Sequence, residues 1–206
     1  MPDLLHDDEA PAELVSTQTV YEGRVWDMRR DTFLLDGHEI TRDYVDHSGA
    51  VAVLALDERD RMLVIKQYRH PVRLRDWELP AGLLDIEGEP ALLAAQRELA
   101  EEADLVAEHW SLLTDILTSP GGSNEAIRVF LARGVSAAPT IHARTEEEAG
   151  IEVRWVPLDD VVDSVLARTV QNSILAIAAL AAAAGRARGW ETLGAADAPW
   201  AGHQQS

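Results

Sequence analysis

The chain has 206 residues, no cysteine, and 36 acidic against 18 basic residues, for a formal net charge of -18 at pH 7. This charge argues against binding to nucleic acid or to an anionic membrane, because both depend on neutralising phosphates. The absence of cysteine excludes disulfides, thiolate metal sites and a cysteine nucleophile. The acidity is compatible with a metal enzyme, since bound cations or a few arginines would reverse the local field for an anionic substrate.

The N-terminal segment has neither a basic region nor a long apolar run, so we expect no signal peptide and a cytoplasmic protein. The most apolar stretch, residues 174–184, is far shorter than the roughly 20 residues that span a bilayer. Residues 1 to about 16 are acidic and contain two prolines, which predicts a loosely held arm.

Strand-like patterns follow at residues 19–21, 25–35 and 39–45. The dipeptide Asp36-Gly37 lies between the last two, and this pair is a strong signal for a tight hairpin. The pattern predicts a small antiparallel sheet within residues 1–47.

The rest of the chain mixes strands with a few helices without regular alternation, which predicts an α/β (α+β) domain over residues 48–185. Residues 186–206 are expected to form a flexible tail, because the sequence from Gly185 is rich in Gly and Ala. Predicted strands are 50–56, 61–68, 110–117, 126–132 and 151–156, and predicted helices are 90–103, 158–167 and 170–184.

The predicted helix 90–103 carries three glutamates, Glu98, Glu101 and Glu102, at helical spacing. Residues three and four apart share a helix face, so these carboxylates are expected to form one cluster. A hard divalent cation such as Mg²⁺ or Mn²⁺ would relieve their repulsion and prefers oxygen ligands. The helix taken alone is equally typical of a solvated acidic surface.

The wider pattern decides between these interpretations. From Gly82 the chain has a loop, Glu89, seven residues, and then Arg97-Glu98-Leu99-Ala100-Glu101-Glu102. This pattern resembles the Nudix box of a family of diphosphate hydrolases. Two features depart from it: six residues instead of five separate Gly82 from Glu89, and Asp104 replaces the glycine after the helix. Asp tolerates a left-handed helix end, so the second change is mild.

The resemblance implies a Nudix-type α/β/α sandwich with a mixed sheet and an extra N-terminal sheet. It implies that Glu98 and Glu102 are the main metal ligands, with Glu101 a further ligand, either direct or through a water molecule. The Ala81 carbonyl is implied to be another ligand. Arg97 and Glu89 would orient the helix and its loop, as a surface ion pair also would.

Further segments resemble the ADP-ribose pyrophosphatase subfamily. They are Gln67-Tyr68-Arg69, the run from Trp77 to Gly82, and the turn at Pro120, fifteen residues after Leu105. The resemblance implies that Arg69 and Glu78 bind the substrate and that Arg69 faces its diphosphate, where a guanidinium can grip two oxygens. Arg69 could instead be a strand-end surface charge, and Pro120 could belong to a simple turn.

These relatives form swapped dimers with shared active sites, so the resemblance implies a homodimer. Arg42 matches a position that contacts the adenine end from the other subunit. Trp26 could stack on the base, although a core or interface tryptophan would explain it equally well.

In this subfamily the base that deprotonates the attacking water lies on a loop outside the box. Glu147, with Glu148 as the alternative, matches that position within the acidic segment 144–150. The same run of glutamates is also typical of a solvated loop. The expected function is Mg²⁺-dependent hydrolysis of ADP-ribose to AMP and ribose 5-phosphate. The alternatives are another nucleoside diphosphate sugar or dinucleotide as substrate, and a sensor that binds ADP-ribose without cutting it.

Overall fold

The structure is a computed structural model that describes residues 5–140 and 150–200. The chain divides into two compact units, to the extent that it is described. The first comprises Met1–His47 with Ser119–Asn124, and the second comprises Ser48–Thr118 with Glu125–Ser206. The sequence assigned residues 1–47 to a separate element, and the structure adds 119–124 to it.

The described chain contains fourteen elements, which are named here in chain order. They are β1 Glu13–Tyr21, β2 Asp27–Leu35, β3 His38–Asp46, β4 Ala50–Ala55, β5 Arg61–Arg69, β6 Leu74–Glu78, β7 Ala81–Leu83, α1 Ala91–Ala103, β8 Leu105–Leu117, β9 Ala126–Ala137, β10 Glu152–Pro157, α2 Leu158–Leu166, α3 Ser173–Arg186 and β11 Gly194–Ala195.

The first unit is built on the antiparallel sheet β1-β2-β3. Leu35 pairs with His38 around Asp36 and Gly37, whose φ angles of 51° and 78° are both positive. Two positive φ values are what a tight hairpin turn of this length requires, so the predicted hairpin is confirmed. The predicted loose arm is wrong for residues 13–16, because β1 begins at Glu13, which pairs with Leu34.

The second unit contains the sheet β10-β5-β6 and the five-stranded sheet β11-β8-β9-β4-β7. In the latter, β4 and β9 are parallel and the other pairs are antiparallel, which makes the sheet mixed. Every residue of β4 is buried. A continuous apolar run of this kind is typical of a strand that is covered on both faces.

The two faces of β4 pack into two separate cores. Ala50, Ala52 and Leu54 belong to a cluster that includes buried residues of α2 and α3. Val51, Val53 and Ala55 alternate with them and pack in a second cluster with α1. Helices thus cover both faces of the sheet, and the predicted α/β/α sandwich is confirmed.

The C-terminal segment differs from the frayed tail predicted from Gly185 onward. Residues 185 and 186 still belong to α3, and Gly194 pairs with Leu112 in β8. The buried guanidinium of Arg128 donates to the carbonyls of Ala198 (2.6 Å) and Pro199 (3.1 Å). These long-range contacts hold the segment as far as residue 200. Among residues 5–140 and 150–200, no helix is long and apolar enough to cross a membrane.

Candidate active site

The helix α1 is delimited by two special backbone positions. Pro90 is its N-cap, with φ -62° and ψ 141°, and its carbonyl accepts hydrogen bonds from Leu93 and Ala94. The sequence placed Pro90 inside the first turn, and the structure places it one residue earlier. Asp104 ends the helix in the left-handed conformation (φ 54°, ψ 38°), as expected for the residue that replaces glycine in the motif. Gly88, with φ 76°, lies in the lengthened loop before the helix, where Glu89 donates its N–H to the Ile86 carbonyl.

Glu98 and Glu102 lie on the inner side of α1, and both are more than nine-tenths buried. Glu102 Oε2 accepts a hydrogen bond of 2.8 Å from the backbone N–H of Ala81 in β7. Glu98 packs so tightly on Gly82 that a Cβ added there would lie 2.0 Å from Glu98 Oε1. A side chain at position 82 would therefore displace the Glu98 carboxylate from this position. The strand β7 brings the Ala81 backbone to the same place as both carboxylates.

Arg97 bridges the helix to its preceding loop. Its guanidinium donates to both carboxylate oxygens of Glu89, at 3.2 and 2.9 Å, and also to Glu98 and Glu101. The hydrogen bond from Arg97 holds the pKa of Glu89 below its usual range, and the same bond raises the pKa of Arg97. The positive charge of Arg97 is thus shared among the three carboxylates of Glu89, Glu98 and Glu101.

The carboxylates of Glu98 and Glu102 offer only oxygen ligands, which suits a hard divalent cation in its chemistry. The Ala81 group that contacts them is its N–H, which donates to Glu102. Within residues 5–140 and 150–200, no group of three or more Asp, Glu or His side chains is placed so that it could hold a metal ion. The metal-ligand roles of Glu98, Glu101 and Glu102 stay predictions. Glu101 is more exposed than the other two and contacts Arg97.

Arg69 and Glu78 come together on the hairpin β5–β6. Arg69 Nε and Nη2 donate to the two oxygens of Glu78, each at 2.7 Å. Gln67 Nε2 donates to Glu78 Oε2 at 3.3 Å, and both of these side chains are buried. Sequence reasoning placed Arg69 and Glu78 in the site but did not predict that they pair, and it gave Gln67 no role.

Asp76 and Asn172 were also missed. Burial raises the pKa of Asp76, whose carboxylate accepts a hydrogen bond of 3.2 Å from Asn172 Nδ2. Asn172 is the N-cap of α3, and its side-chain oxygen accepts from the Leu175 N–H. No local signal could reveal this contact, because the two residues are 96 positions apart.

Trp26, Arg42 and Pro120 all belong to the first unit. Trp26 is exposed and stacks on His47 with ring centroids 5.3 Å apart. Arg42 is exposed and donates to the Thr41 carbonyl. Pro120 lies in a turn in which Gly122 donates its N–H to the Ser119 carbonyl. The substrate-binding roles of these three residues stay predictions.

Glu147 and Glu148, the predicted catalytic bases, lie outside the described residues. The segment 141–149 lies between β9 and β10, and Gly150 is the first described residue after it. An added Cβ on Gly150 would lie 3.8 Å from Arg75 Nη2. The described chain thus resumes beside the hairpin β5–β6, which also carries Arg69 and Glu78.

The sequence matches the family model of the NUDIX domain over residues 46–178. It is 42% identical over 170 residues to a Mycobacterium tuberculosis protein named ADP-ribose pyrophosphatase, a match that covers 82% of each chain. A Bacillus subtilis protein of the same name is 34% identical over 165 residues, covering 80% of this chain and 88% of its own. A solved structure described as an ADP compounds hydrolase superposes with a TM-score of 0.71, covering 90% of this chain and 99% of that one. Its sequence identity is 18%, so this last likeness bears on the fold alone.

Proposed function

The chain belongs to the Nudix hydrolase family, and from that premise we propose that it hydrolyses the diphosphate of ADP-ribose to AMP and ribose 5-phosphate. The observation that carries the proposal is the placement of the complete run Arg97–Glu102 on a helix whose two inner carboxylates pack against Ala81 and Gly82. The substrate is suggested by the two relatives whose names state this activity.

We assign the holding of a divalent cation, Mg²⁺ or Mn²⁺, to Glu98, Glu102 and the Ala81 carbonyl, with Glu101 as a further ligand. Such a cation, when bound, neutralises diphosphate charge and acidifies a water molecule. Arg97 is proposed to fix the orientation of the Glu98 and Glu101 carboxylates by donating hydrogen bonds to both. It also connects them to Glu89 in the preceding loop.

Arg69 is assigned to the substrate's diphosphate. A chain with a net charge of -18 needs local positive charge to admit an anion. Arg69 provides such a charge on the hairpin β5–β6, and Glu78 fixes the plane of its guanidinium through two hydrogen bonds. Glu78 is thus proposed to support substrate binding indirectly, by orienting Arg69.

The remaining assignments rest on the family resemblance. Glu147, or Glu148 in its place, is proposed to accept the proton of the attacking water. Trp26 and Arg42 are proposed to contact the adenine end of the substrate, and Pro120 to shape the loop beside it. Arg42 would act across a homodimer.

Incubation of the purified protein with ADP-ribose and Mg²⁺, with chromatography of the products, tests the proposal. We expect AMP and ribose 5-phosphate in equal amounts and no activity when EDTA is present. A parallel panel of other nucleoside diphosphate sugars and NADH identifies a different substrate if one is turned over faster. Binding of ADP-ribose without any product would identify a sensor and overturn the proposed hydrolysis.

A further inference from the structure

Gln67 is a buried amide on a strand whose neighbouring inward positions are apolar. Leu63, Ile65 and Gln67 alternate along β5, and all three are buried. A buried amide costs free energy unless its polar atoms are hydrogen-bonded, so a leucine would be the simpler residue at this position. The amide is explained by its contact with Glu78.

The Glu78 carboxylate is held from two sides. Arg69 contributes Nε and Nη2, and Gln67 contributes Nε2 to the same oxygen, Oε2, that accepts from Arg69 Nη2. Only 7% of the Glu78 side chain is exposed, whereas 43% of the Arg69 side chain is. In this set of three side chains, Gln67 and Glu78 are buried, and Gln67 binds the Glu78 carboxylate from within the protein. Arg69 is the member that an anion in solvent can reach.

A second carboxylate, that of Asp76, lies on the same hairpin. Asp76 lies opposite Gln67 in the β5–β6 register, and the charges of Glu78 and Arg69 both act on it. Asn172 donates to Asp76, while Gln67 donates to Glu78. Each carboxylate thus accepts a hydrogen bond from a different amide, and Arg69 forms its bidentate pair with Glu78.

We propose that Gln67 is a positioning residue for the diphosphate of the substrate: it anchors the Glu78 carboxylate and thereby sets the direction of the Arg69 guanidinium. The inference rests on the proposed function, which assigns Arg69 to the diphosphate. Gln67 is uncharged and buried, does not touch the substrate, and acts through Glu78 and Arg69.

The test replaces Gln67 by Leu, an apolar residue of similar size that removes the donor. Calorimetry measures the affinity for α,β-methylene ADP-ribose, whose P–C–P bridge resists hydrolysis, and steady-state kinetics measures KM and kcat for ADP-ribose. We expect Gln67→Leu to weaken binding and raise KM about 10-fold, the low end for a lost hydrogen bond to a charged group. The turnover number kcat should stay within about two-fold. Gln171→Leu, at an exposed position, is the matched control and should match the wild type in both.

A double-mutant cycle separates positioning from a general loss of stability. In an Arg69→Ala background, Gln67→Leu should cause no further loss of analogue affinity, because the residue through which Gln67 acts is gone. An equal additional loss in that background would overturn the proposal, as would unchanged affinity in the single variant. Gln67→Met, a second variant of similar length, replaces Leu if urea unfolding shows that Gln67→Leu is not folded.

The same experiment keeps the two proposals apart. If the wild-type protein neither binds the analogue nor hydrolyses ADP-ribose, the proposed function fails and this inference fails with it. If the wild type does both and the Gln67 variants are indistinguishable from it, only the inference about Gln67 is overturned.

Discussion

Glu98 and Glu102 illustrate how a single residue's role depends on its burial. Helical spacing suggested that both face solvent or metal, whereas the structure buries them against Ala81 and Gly82. Burial of a carboxylate is costly unless it is paired, and here Arg97 donates to Glu98 and the Ala81 N–H donates to Glu102. Buried, paired carboxylates that lie side by side are common at functional sites.

We predict that Glu98→Gln and Glu102→Gln each lower kcat/KM by more than the roughly 10–100-fold typical of residues that only support a metal ligand. The fold should be retained, because a neutral amide is easier to bury than a carboxylate and can still accept the Ala81 hydrogen bond. Circular dichroism and ADP-ribose turnover check this. Glu108→Gln, at an exposed position, is the control. Near-normal activity in either site variant would contradict the assignment.

The general base is expected to be Glu147. Glu147→Gln should lower turnover by roughly 10²–10⁴-fold, as expected for a lost general base. Its KM should change little, because this residue is proposed to act on water and not on ADP-ribose. Glu146→Gln should be almost silent, and Glu148→Gln tests the alternative. If all three variants stay within a few-fold of the wild type, no glutamate of this segment is the base.

At the scale of elements, the turn between β4 and β5 is stabilised by hydrogen bonds to a single carboxylate, that of Asp57. Asp57 Oδ1 accepts from the backbone N–H groups of Arg59 and Arg61, each at 2.9 Å, and Oδ2 accepts from Arg61 Nε at 2.8 Å. Burial alone would raise the pKa of Asp57, but the hydrogen bonds from Arg61 and Arg59 outweigh it and lower the pKa. The turn therefore stabilises the ionised form.

This lowered pKa predicts the pH dependence of stability. Because the folded-state pKa lies below the unfolded value of about 3.9, the contribution of Asp57 is fully present above about pH 4 and is lost as pH falls through the folded pKa. We expect Asp57→Asn to lower the free energy of unfolding by about 1 kcal/mol at pH 7 and by less at pH 3. Urea unfolding at both pH values measures this, with Glu58→Gln as the exposed neighbouring control. A difference that grows toward acid pH would contradict the argument.

At the scale of the whole molecule, residues 198–200 are held against the rest of the second unit by one buried arginine. Arg128 pairs with both oxygens of Asp115, at 2.8 and 2.9 Å, and its guanidinium lies 4.8 Å from the centre of the Trp200 ring. Its exposed fraction is 3%. The carbonyls of Ala198 and Pro199 complete its hydrogen bonds, so a distant stretch of chain satisfies a charge in the core.

We predict that ending the chain after Ala196 lowers the free energy of unfolding by about 2–4 kcal/mol, because two acceptors of a buried guanidinium are lost. Urea denaturation measures the change. Arg128→Met should destabilise the full chain but should cost little in the shortened one, where the charge is already poorly satisfied. Equal stability of the full and shortened chains would show that the segment contributes nothing.

The protein is expected to form a homodimer through its first unit. Every residue of β1 is exposed, and large apolar side chains including Leu14 and Val15 lie on this strand at the edge of its sheet. Exposed edge strands with apolar residues favour pairing with another chain. Light scattering should give twice the 22.6 kDa chain mass.

Leu14→Arg should yield a monomer with reduced activity, if the active site is shared between subunits. Leu166→Arg, at an exposed apolar position in α2, should leave the dimer intact. A wild-type protein that is monomeric and fully active would refute both the dimer and the role of Arg42 across an interface.

The sequence by itself determined the features that depend on neighbours in the chain. The helix with Glu98, Glu101 and Glu102, the Asp36-Gly37 turn, and the buried strands β4 and β5 were all predicted close to their observed bounds. Periodicity and turn chemistry act over a few residues, so a single sequence contains them. The left-handed end at Asp104 was predictable for the same reason.

Tertiary structure alone decided the lengths of β1, β8 and β9, whose exposed ends extend because a partner strand is present, as in the pairing of Leu105 with Ala137. It also decided the burial of Glu98 and Glu102, the contact of Gln67 with Glu78, and the attachment of the tail to Arg128. Each of these depends on residues that are far apart in the chain and meet only after the sheets have formed. A buried polar side chain needs a hydrogen-bond partner, and that partner can come from any part of the chain that the fold brings near. The spacing of residues along the sequence does not show which distant residue this will be.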